Sequence, residues 1–181
     1  VYNEDWYLSE TFDAAIGQGF QLTTPLQMAM VYSQIANGGH RYQPYLVSRI
    51  TNSNGDVLQT FQPKEVGQTP LSAQNMKLIQ DSLRDVALEG GTAAYEFRDF
   101  PIPVSGKTGT AENSHGKDHG WFVAYAPYED PRIVVVVIVE QGGFGATASA
   151  PIAKHILEAA FNINQDAAVA GPRIVRPGTA L

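Results

Sequence analysis

The chain has 181 residues, of which 18 are acidic and 12 basic, so its formal net charge is -6 at pH 7. Its hydrophobic content of 44% and charged content of 17% are typical of a globular domain with a core of its own. The acidic balance excludes the basic surface of a nucleic-acid-binding protein, and the absence of cysteine excludes disulfides, thiolate catalysis and cysteine-ligated zinc.

The start of the chain reads as the interior of a domain. Residues 1–10 lack the basic start and apolar run of a signal peptide, and the longest apolar run, residues 133–139, is too short to cross a bilayer. The chain also begins without methionine. These features predict a piece of a longer polypeptide, with any export or anchoring signal upstream.

The first predicted element is a helix that begins at Thr24, after an irregular segment over residues 1–19. Thr24 is a good N-cap, Pro25 suits the first helical position, and Gln27 can complete a capping box. The helix carries apolar residues on all sides, which predicts that it is largely buried. Residues 37–39, Asn-Gly-Gly, end the helix.

A hairpin and a second helix follow. Residues 45–50 and 57–61 are predicted strands, joined at Asn54-Gly55, which is a two-residue hairpin signal. The second helix is predicted over residues 72–88, and its core face has four apolar residues at helical spacing: Met76, Ile79, Leu83 and Val86.

The second half predicts a three-stranded antiparallel meander. Prolines at 101 and 103 precede the strand over residues 104–111, and because proline cannot donate to a ladder, this strand is expected at a sheet edge. Residues 121–126 are apolar on both faces and are predicted to be central, and residues 133–139 form another buried strand.

A closing helix completes the predicted domain over residues 1–163. Ser149 or a neighbour is expected to cap it, and five residues are expected to face inward: Ile152, Ile156, Leu157, Ala160 and Phe161. Residues 164–181, rich in Ala, Gly and Pro, are expected to be a loosely ordered tail. The fold class is therefore α+β, an antiparallel sheet with helices packed on it.

The strongest chemical signal is Ser-Gly-Lys-Thr-Gly-Thr at residues 105–110, on the predicted edge strand. Alternation places Thr108 and Thr110 on one face, where two hydroxyls can bind a carboxylate. Gly109 permits close approach, and Lys107 supplies a positive charge. Free backbone groups of an edge can pair with an extended peptide, and an N–H there can donate to a developing oxyanion.

Lys107-Thr108-Gly109 resembles the K-T-G element of serine β-lactamases and penicillin-binding proteins. The likeness is greatest to monofunctional class B penicillin-binding proteins of the elongation-type, penicillin-binding protein 2 group, and it extends in order from Ile16 to Phe161. Six further segments carry it: Ile16-Gly17-Gln18-Gly19 with Thr24-Pro25-Leu26-Gln27-Met28-Ala29, Gly91-Thr92-Ala93, His119-Gly120-Trp121-Phe122, Ala126-Pro127, Val139-Glu140-Gln141-Gly142-Gly143 and Pro151-Ile152-Ala153.

The resemblance implies the C-terminal part of a transpeptidase domain of the serine β-lactamase-like fold, without metal or cofactor. The parent enzyme would cross-link peptidoglycan stem peptides that end in D-Ala-D-Ala, would be acylated by β-lactams, and would act at the periplasmic or outer face of the cytoplasmic membrane, anchored through an upstream segment. Catalytic roles fall to Lys107, in the charge and proton network, and to the Thr110 N–H as oxyanion donor. Ser105, Thr108, Gly109 and Thr110 would bind substrate.

One departure from the family pattern concerns the nucleophile. The family needs a Ser-x-x-Lys at a helix start and a Ser-x-Asn or Tyr-x-Asn, and both normally lie upstream of the Gly-Gln-Gly segment. Neither Ser-x-Asn nor Tyr-x-Asn occurs here, and the one Ser-x-x-Lys, Ser114 to Lys117, lies in a polar loop with a central glycine. We therefore expect the upstream half of the domain as a partner and no activity from this chain alone.

Several local patterns admit other interpretations. Gly106-Lys107-Thr108 resembles the end of a P-loop, but Pro101 replaces the required glycine, and Gly17-x-Gly19 lacks the third glycine of a dinucleotide site. Residues 115, 118 and 119 could be metal ligands or parts of a solvated loop. The aromatic residues Tyr2, Trp6, Tyr7 and Phe12 are expected to be packing residues rather than a peptide-binding surface.

Three classes of function remain open at this point: a transpeptidase part, a related hydrolase (a β-lactamase or a D,D-carboxypeptidase), and a non-catalytic peptide-binding module. Deacylation separates the first two, since a β-lactamase turns the drug over. Binding of D-Ala-D-Ala peptides without chemistry would identify the third.

Overall fold

The computed structural model describes residues 5–163, and within that range the α+β prediction is confirmed. The helices are α1 (Leu8–Ala15), α2 (Pro25–Ala36), α3 (Ala73–Asp85), α4 (Ala94–Phe97), α5 (Gly145–Ala148) and α6 (Ala150–Phe161). The strands are β1 (His40–Gln43), β2 (Arg49–Thr51), β3 (Val57–Thr60), β4 (Lys64–Gln68), β5 (Ser105–Ala111), β6 (His119–Ala126) and β7 (Ile133–Val139).

The main sheet has the antiparallel order β5-β6-β7, with helices on both faces. On one face α6 and α5 cover a core that contains Phe122, Val137 and Leu157. On the other face α2 and α3 contact the sheet around Tyr125 and Leu83. The meander, the central position of β6 and the edge position of β5 were all predicted correctly, because β6 is apolar on both faces whereas β5 is polar and follows two prolines.

The other predicted strands are partly wrong. β7 is only half-buried outside Val135 and Val137, because it is the second edge of this sheet. No strand covers residues 45–48; β1 and β4 pair with each other instead, and neither was predicted. Both are short and largely exposed on both sides, so they leave no alternating pattern in the sequence.

The predicted hairpin exists between β2 and β3, with a longer loop than the two residues Asn54-Gly55. The Asn52 N–H donates to the Asp56 carbonyl over 3.0 Å, so the loop spans five residues. The Asn52 side chain organises it, because its Oδ1 accepts from the backbone N–H groups of Asn54 and Asp56, each over 2.9 Å.

Helix α2 begins as predicted but is not buried. The Thr24 N–H donates to Gln27 Oε1 over 2.8 Å, and Thr24 Oγ1 accepts from the Gln27 N–H over 3.2 Å, which completes the capping box. Of its side chains only Ala36 is buried, while Leu26 is 60% exposed. The helix contacts β6, β7, β1 and α3, yet most of its side chains stay partly or fully exposed, so its apolar composition does not make it a buried helix.

Helix α3 confirms its predicted face, with Met76 and Leu83 buried and Ile79 and Val86 partly buried. It is joined to the turn after β6 by one exposed network. The Lys77 ammonium group and the Tyr128 hydroxyl both donate to the Asp81 carboxylate, and Lys77 Nζ lies 2.7 Å from the Tyr128 hydroxyl. The hydrogen bond from Lys77, then that from Tyr128, lowers the pKa of Asp81.

The N-terminal segment differs from its prediction, since α1 is helical where an irregular chain was expected. Its N-cap is Tyr7, whose N–H donates to the Glu10 carboxylate; tyrosine is not a usual capping residue, so the signal is hidden in the sequence. The aromatic residues Trp6, Tyr7 and Phe12 are exposed, so the packing expectation is wrong for them. Tyr2 and the predicted tail, residues 164–181, lie outside the described residues.

The closing region contains two helices, α5 and α6, where the sequence predicted one. Ser149 does not cap α6 with its side chain; its buried hydroxyl donates to the Gly120 carbonyl of β6 over 2.7 Å. Ile152 and Ile156 are exposed by 43% and 41%, and the buried positions are Ala150, Ala153 and Leu157. The small alanines lie inward because α6 packs closely on the sheet, which the hydrophobic pattern alone did not show.

We predict that Gly145→Ala strongly destabilises the fold. A Cβ at this position would lie 2.0 Å from the Trp121 carbonyl oxygen and 2.5 Å from that of Gly109, so α5 would be forced away from β5 and β6. The expected loss in chemical denaturation is about 3 kcal/mol. Gly143→Ala is the control, since its Cβ would meet nothing within 4 Å and only its φ of 81° is unfavourable; we expect about 1 kcal/mol there. Equal losses would contradict the steric argument.

We predict that Asp81→Asn lowers the melting temperature at pH 7 and lowers it less at pH 3. Because the folded pKa of Asp81 is depressed, its ionised form stabilises the fold above the ordinary carboxyl pKa of about 4, and this stabilisation is lost as the pH falls through the folded pKa. Thermal melts of both proteins at the two pH values measure the effect, with Asp56→Asn, in the β2–β3 loop, as control. A difference that persists unchanged at pH 3 would show that charge is not its cause.

Candidate functional site

The predicted site strand, β5, has one side paired with β6 and the other side at the edge of the sheet. Along it Ser105 and Gly106 are buried, Lys107 is exposed, and Thr108 to Ala111 are half-buried. The Thr110 carbonyl accepts a hydrogen bond from Gln18, outside the sheet, so it points out of the edge. In an antiparallel strand the N–H and C=O of one residue point the same way, so the Thr110 and Thr108 N–H groups point out of this edge too.

The two threonines occupy the same face of β5, as predicted. They are opposite Phe122 and Gly120 of β6, and Thr108 Oγ1 lies 2.9 Å from Thr92 Oγ1. Thr92 was noticed only as part of a resembling segment, and its hydroxyl joins the site through a tight turn after α3. That turn needs Gly91, because a Cβ there would lie 2.3 Å from the Asp85 and Val86 carbonyl oxygens.

Lys107 alternates onto the face opposite Thr108, yet its charge lies at the same edge. Its Nζ donates to the Thr108 carbonyl over 2.8 Å, so the long stem bends round the strand. The site therefore contains an ammonium group, a pair of threonine hydroxyls and two outward N–H groups along a few residues of one strand.

Ser105 is placed differently from the other predicted site residues. It is fully buried and is opposite the equally buried Tyr125 in the register. Burial raises the pKa of Tyr125, and the hydroxyl of Ser105 acts in the opposite direction. The structure thus puts Ser105 inside the protein, behind the edge, and does not bring it together with Thr108 and Thr110.

The glycines of β5 permit close approach by the protein itself. A Cβ at Gly106 would lie 2.7 Å from the Val123 carbonyl oxygen, and one at Gly109 would lie 3.1 Å from Trp121 Cβ. The side chain of Trp121 therefore lies against the backbone of Gly109. Because Gly106 and Gly109 have no side chain, β5 can lie close to the neighbouring strand β6.

Sequence analysis missed Gln18 as a site residue. Its side-chain amide donates to the Thr110 carbonyl over 2.9 Å, and its Oε1 accepts from the Glu112 N–H over 3.4 Å. Because 92 residues separate Gln18 from Thr110, only the tertiary structure reveals the contact.

The other sequence interpretations are resolved by local structure. Ser114 and Lys117 lie in a loop of turns, not on a helix. Residues 108–111 continue β5, so no P-loop forms, and Gly17 and Gly19 are turn residues with positive φ. Among residues 5–163 no group of three His, Asp or Glu side chains could bind a metal ion, and His119 Nδ1 accepts from the Gln141 N–H.

A cavity of about 550 Å³ lies elsewhere, between α3, α4 and the segment that leads into β5. Its lining includes Arg84, Phe97 and Val104 and no residue from 105 to 110, so the candidate site lies on an open edge and outside this cavity. In the part of the chain that the structure describes, no helix has the length and apolar content to cross a membrane.

Comparison with known proteins gives consistent results. Residues 1–158 match the family model of the penicillin-binding protein transpeptidase domain. The peptidoglycan D,D-transpeptidase MrdA of Haemophilus influenzae is 32% identical over 182 aligned positions, which cover 91% of this chain and 27% of that protein. The chain thus spans less than a third of this relative's length.

Solved structures show the same similarity. Penicillin-binding protein A of Mycobacterium tuberculosis, solved as an imipenem acyl-enzyme complex, is 31% identical with a TM-score of 0.73 over 82% of this chain and 33% of that one. PBP2 of Pseudomonas aeruginosa, in complex with WCK 5153, is 30% identical with a TM-score of 0.72 over 86% of this chain and 33% of that one. The chain therefore belongs to the penicillin-binding protein transpeptidase domain family, and its likeness to the penicillin-binding protein 2 group is confirmed.

Proposed function

We propose that residues 1–163 are the C-terminal portion of a peptidoglycan D,D-transpeptidase domain, in which β5 forms one wall of the active site and the serine nucleophile lies upstream of this chain. The observation that supports this most is the outer edge of β5. Four groups lie next to one another there: the outward Thr110 N–H, the hydroxyls of Thr108 and Thr110, and the Lys107 ammonium group. Together they fit an extended peptide that ends in a carboxylate.

The proposed substrate is a stem peptide that ends in D-Ala-D-Ala. Its terminal carboxylate binds the hydroxyls of Thr108 and Thr110, and Lys107 supplies positive charge nearby. Ser105, which is buried beside Tyr125, supports β5 from inside rather than touching substrate.

In the proposed reaction, the serine oxygen bonds to the carbonyl carbon of the penultimate D-Ala while the proton of the hydroxyl passes to a base. The carbonyl oxygen becomes an oxyanion, and the Thr110 N–H donates to it. The C–N bond then breaks, and the terminal D-Ala leaves with a proton on its amine. An amine of a second stem attacks the ester carbon, forms the cross-link and releases the serine. One such donor is worth about 3 kcal/mol in acyl transfer.

β-Lactams are the second proposed ligand class. The Mycobacterium tuberculosis relative has been solved as an imipenem acyl-enzyme complex, and the match covers 82% of this chain. We propose that a β-lactam acylates the upstream serine of the complete protein and places its carboxylate on Thr108 and Thr110.

The upstream half of the same domain is the proposed partner of the N-terminal segment. Exposed apolar side chains concentrate there, and they include Leu8, Phe12, Ile16, Leu22 and Leu26. Burying exposed apolar side chains against a partner surface is favourable. The complete protein is proposed to act at the outer face of the cytoplasmic membrane, with an anchor in its N-terminal region.

We predict that Thr110→Pro in the complete protein lowers the second-order rate constant of acylation by penicillin about 10²–10³-fold, since one oxyanion donor is lost. The substitution removes only an N–H that points out of the edge, so no ladder hydrogen bond is lost. Thr110→Ala keeps this N–H and removes the hydroxyl, and we expect a loss of about tenfold.

Stopped-flow acylation measures both variants, with Thr147→Ala as a control because Thr147 lies exposed on α5, away from the edge. Acylation of Thr110→Pro at the wild-type rate, in protein with a wild-type melting temperature, would rule out the proposed donor. Release of hydrolysed penicillin faster than the enzyme's cross-linking rate would favour the hydrolase class instead.

We also predict that the 181-residue chain on its own is not labelled by a fluorescent penicillin. Ser114 and Lys117 lie in a loop, where the side chains do not share a helix face as a serine–lysine pair requires. The experiment is a labelling gel with the complete protein as positive control. Labelling of the chain that disappears in Ser114→Ala would contradict the proposed position of the nucleophile.

A further inference from the structure

Gln18 occupies the outer edge of β5 in the way that a neighbouring strand would. Its carboxamide donates to the Thr110 carbonyl over 2.9 Å and accepts from the Glu112 N–H over 3.4 Å. Residues two apart on an edge present their backbone groups on the same side, and the C=O and one N–H of a primary amide point the same way, so one side-chain amide can bridge them. The side chain therefore makes hydrogen bonds that the N–H and C=O of a residue in a fourth strand could make.

The local sequence orients Gln18 toward this edge. Helix α1 ends in a Schellman motif, in which the Gly17 N–H donates to the Ala14 carbonyl and the Gln18 N–H donates to the Asp13 carbonyl, over 3.1 and 2.8 Å. Gly17 and Gly19 have φ values of 80° and 69°, which side-chain-bearing residues rarely adopt. Two glycines thus reverse the chain on either side of the one residue that reaches β5.

One of the two Gln18 hydrogen bonds is to Thr110, the residue that matters most for the proposed chemistry. Gln18 fixes the carbonyl of Thr110, and the N–H of the same residue points out of the same edge. It also fixes Glu112, the first residue after β5 and the start of the polar loop over residues 112–118. Without these contacts the C-terminal end of β5 would keep its pairing with β6 and its packing against α5, with no hydrogen bond from Gln18 on its outer side.

We infer that Gln18 is a positioning residue for the transpeptidase site: it fixes the C-terminal end of β5 so that the Thr110 N–H stays aligned for the oxyanion, and it closes the edge beyond Thr110 to substrate pairing. The inference rests on the proposed function for its catalytic consequence. The contact itself joins two segments that are 92 residues apart in sequence. It gives the Gly-Gln-Gly segment a structural role, which is to hold the end of β5.

Two variants distinguish the hydrogen bond to Thr110 from the hydrogen bond to Glu112. Gln18→Met keeps the size of the side chain and removes both hydrogen bonds. Gln18→Glu keeps the acceptor for the Glu112 N–H, loses the donor to the Thr110 carbonyl, and puts a negative charge beside that carbonyl. Gln21→Met is the matched control, since Gln21 is an exposed glutamine three residues further on.

Two measurements are made on the complete protein: amide hydrogen exchange at Glu112 and the rate constant of acylation by penicillin at saturation. We expect Gln18→Met to lose exchange protection at Glu112 and to acylate about tenfold more slowly. We expect Gln18→Glu to keep that protection and still to acylate slowly, a division that a general loss of stability would not produce. Gln21→Met should change neither quantity.

The inference is overturned if Gln18→Met acylates at the wild-type rate, or if both variants lose exchange protection uniformly along β5 together with their melting temperature. Absence of acylation in the wild-type protein would refute the proposed function instead. The exchange at Glu112 would then still show whether Gln18 contacts this edge.

Discussion

The unpaired outer side of β5 is the constraint on which the rest of the site depends. β6 has a neighbour on each side, so its backbone groups are used within the sheet, whereas β5 turns half of its backbone groups away from the sheet. Such an edge invites pairing with any extended chain. In this protein a lysine, threonine hydroxyls and a glutamine amide lie along it, so the edge is polar.

The position of this edge is fixed from behind by close packing. β6 is buried on both faces, and α5 approaches so closely that Gly145 lies against the carbonyl groups of Trp121 and Gly109. The buried hydroxyl of Ser149 donates to the Gly120 carbonyl, so the start of α6 is joined directly to β6. A strand supported in this way can present its free side in one geometry, as preorganised donors require.

The ends of β5 are fixed by segments distant in sequence. Arg84 of α3 donates to the Val104 carbonyl over 3.0 Å, just before the strand, and Gln18 binds Thr110 and Glu112 at its C-terminal end. The Tyr128 N–H donates to the Pro103 carbonyl over 2.9 Å, which adds the turn after β6 to the same support. Helices and turns from three parts of the chain thus converge on one seven-residue strand.

The sequence by itself determined the elements whose signals are local: the Thr24 capping box, the apolar face of α3, the apolar β6, and the polar strand after two prolines with its Lys-Thr-Gly. Each follows from the periodicity or chemistry of adjacent residues. The tertiary structure alone decided the burial of Ser105, the exposed side of α2, the β1–β4 pair, and the contacts of Thr92 and Gln18 with β5. These depend on which distant segments meet, and the free energy of such contacts appears only when the chain brings them together, so no window of adjacent residues contains it.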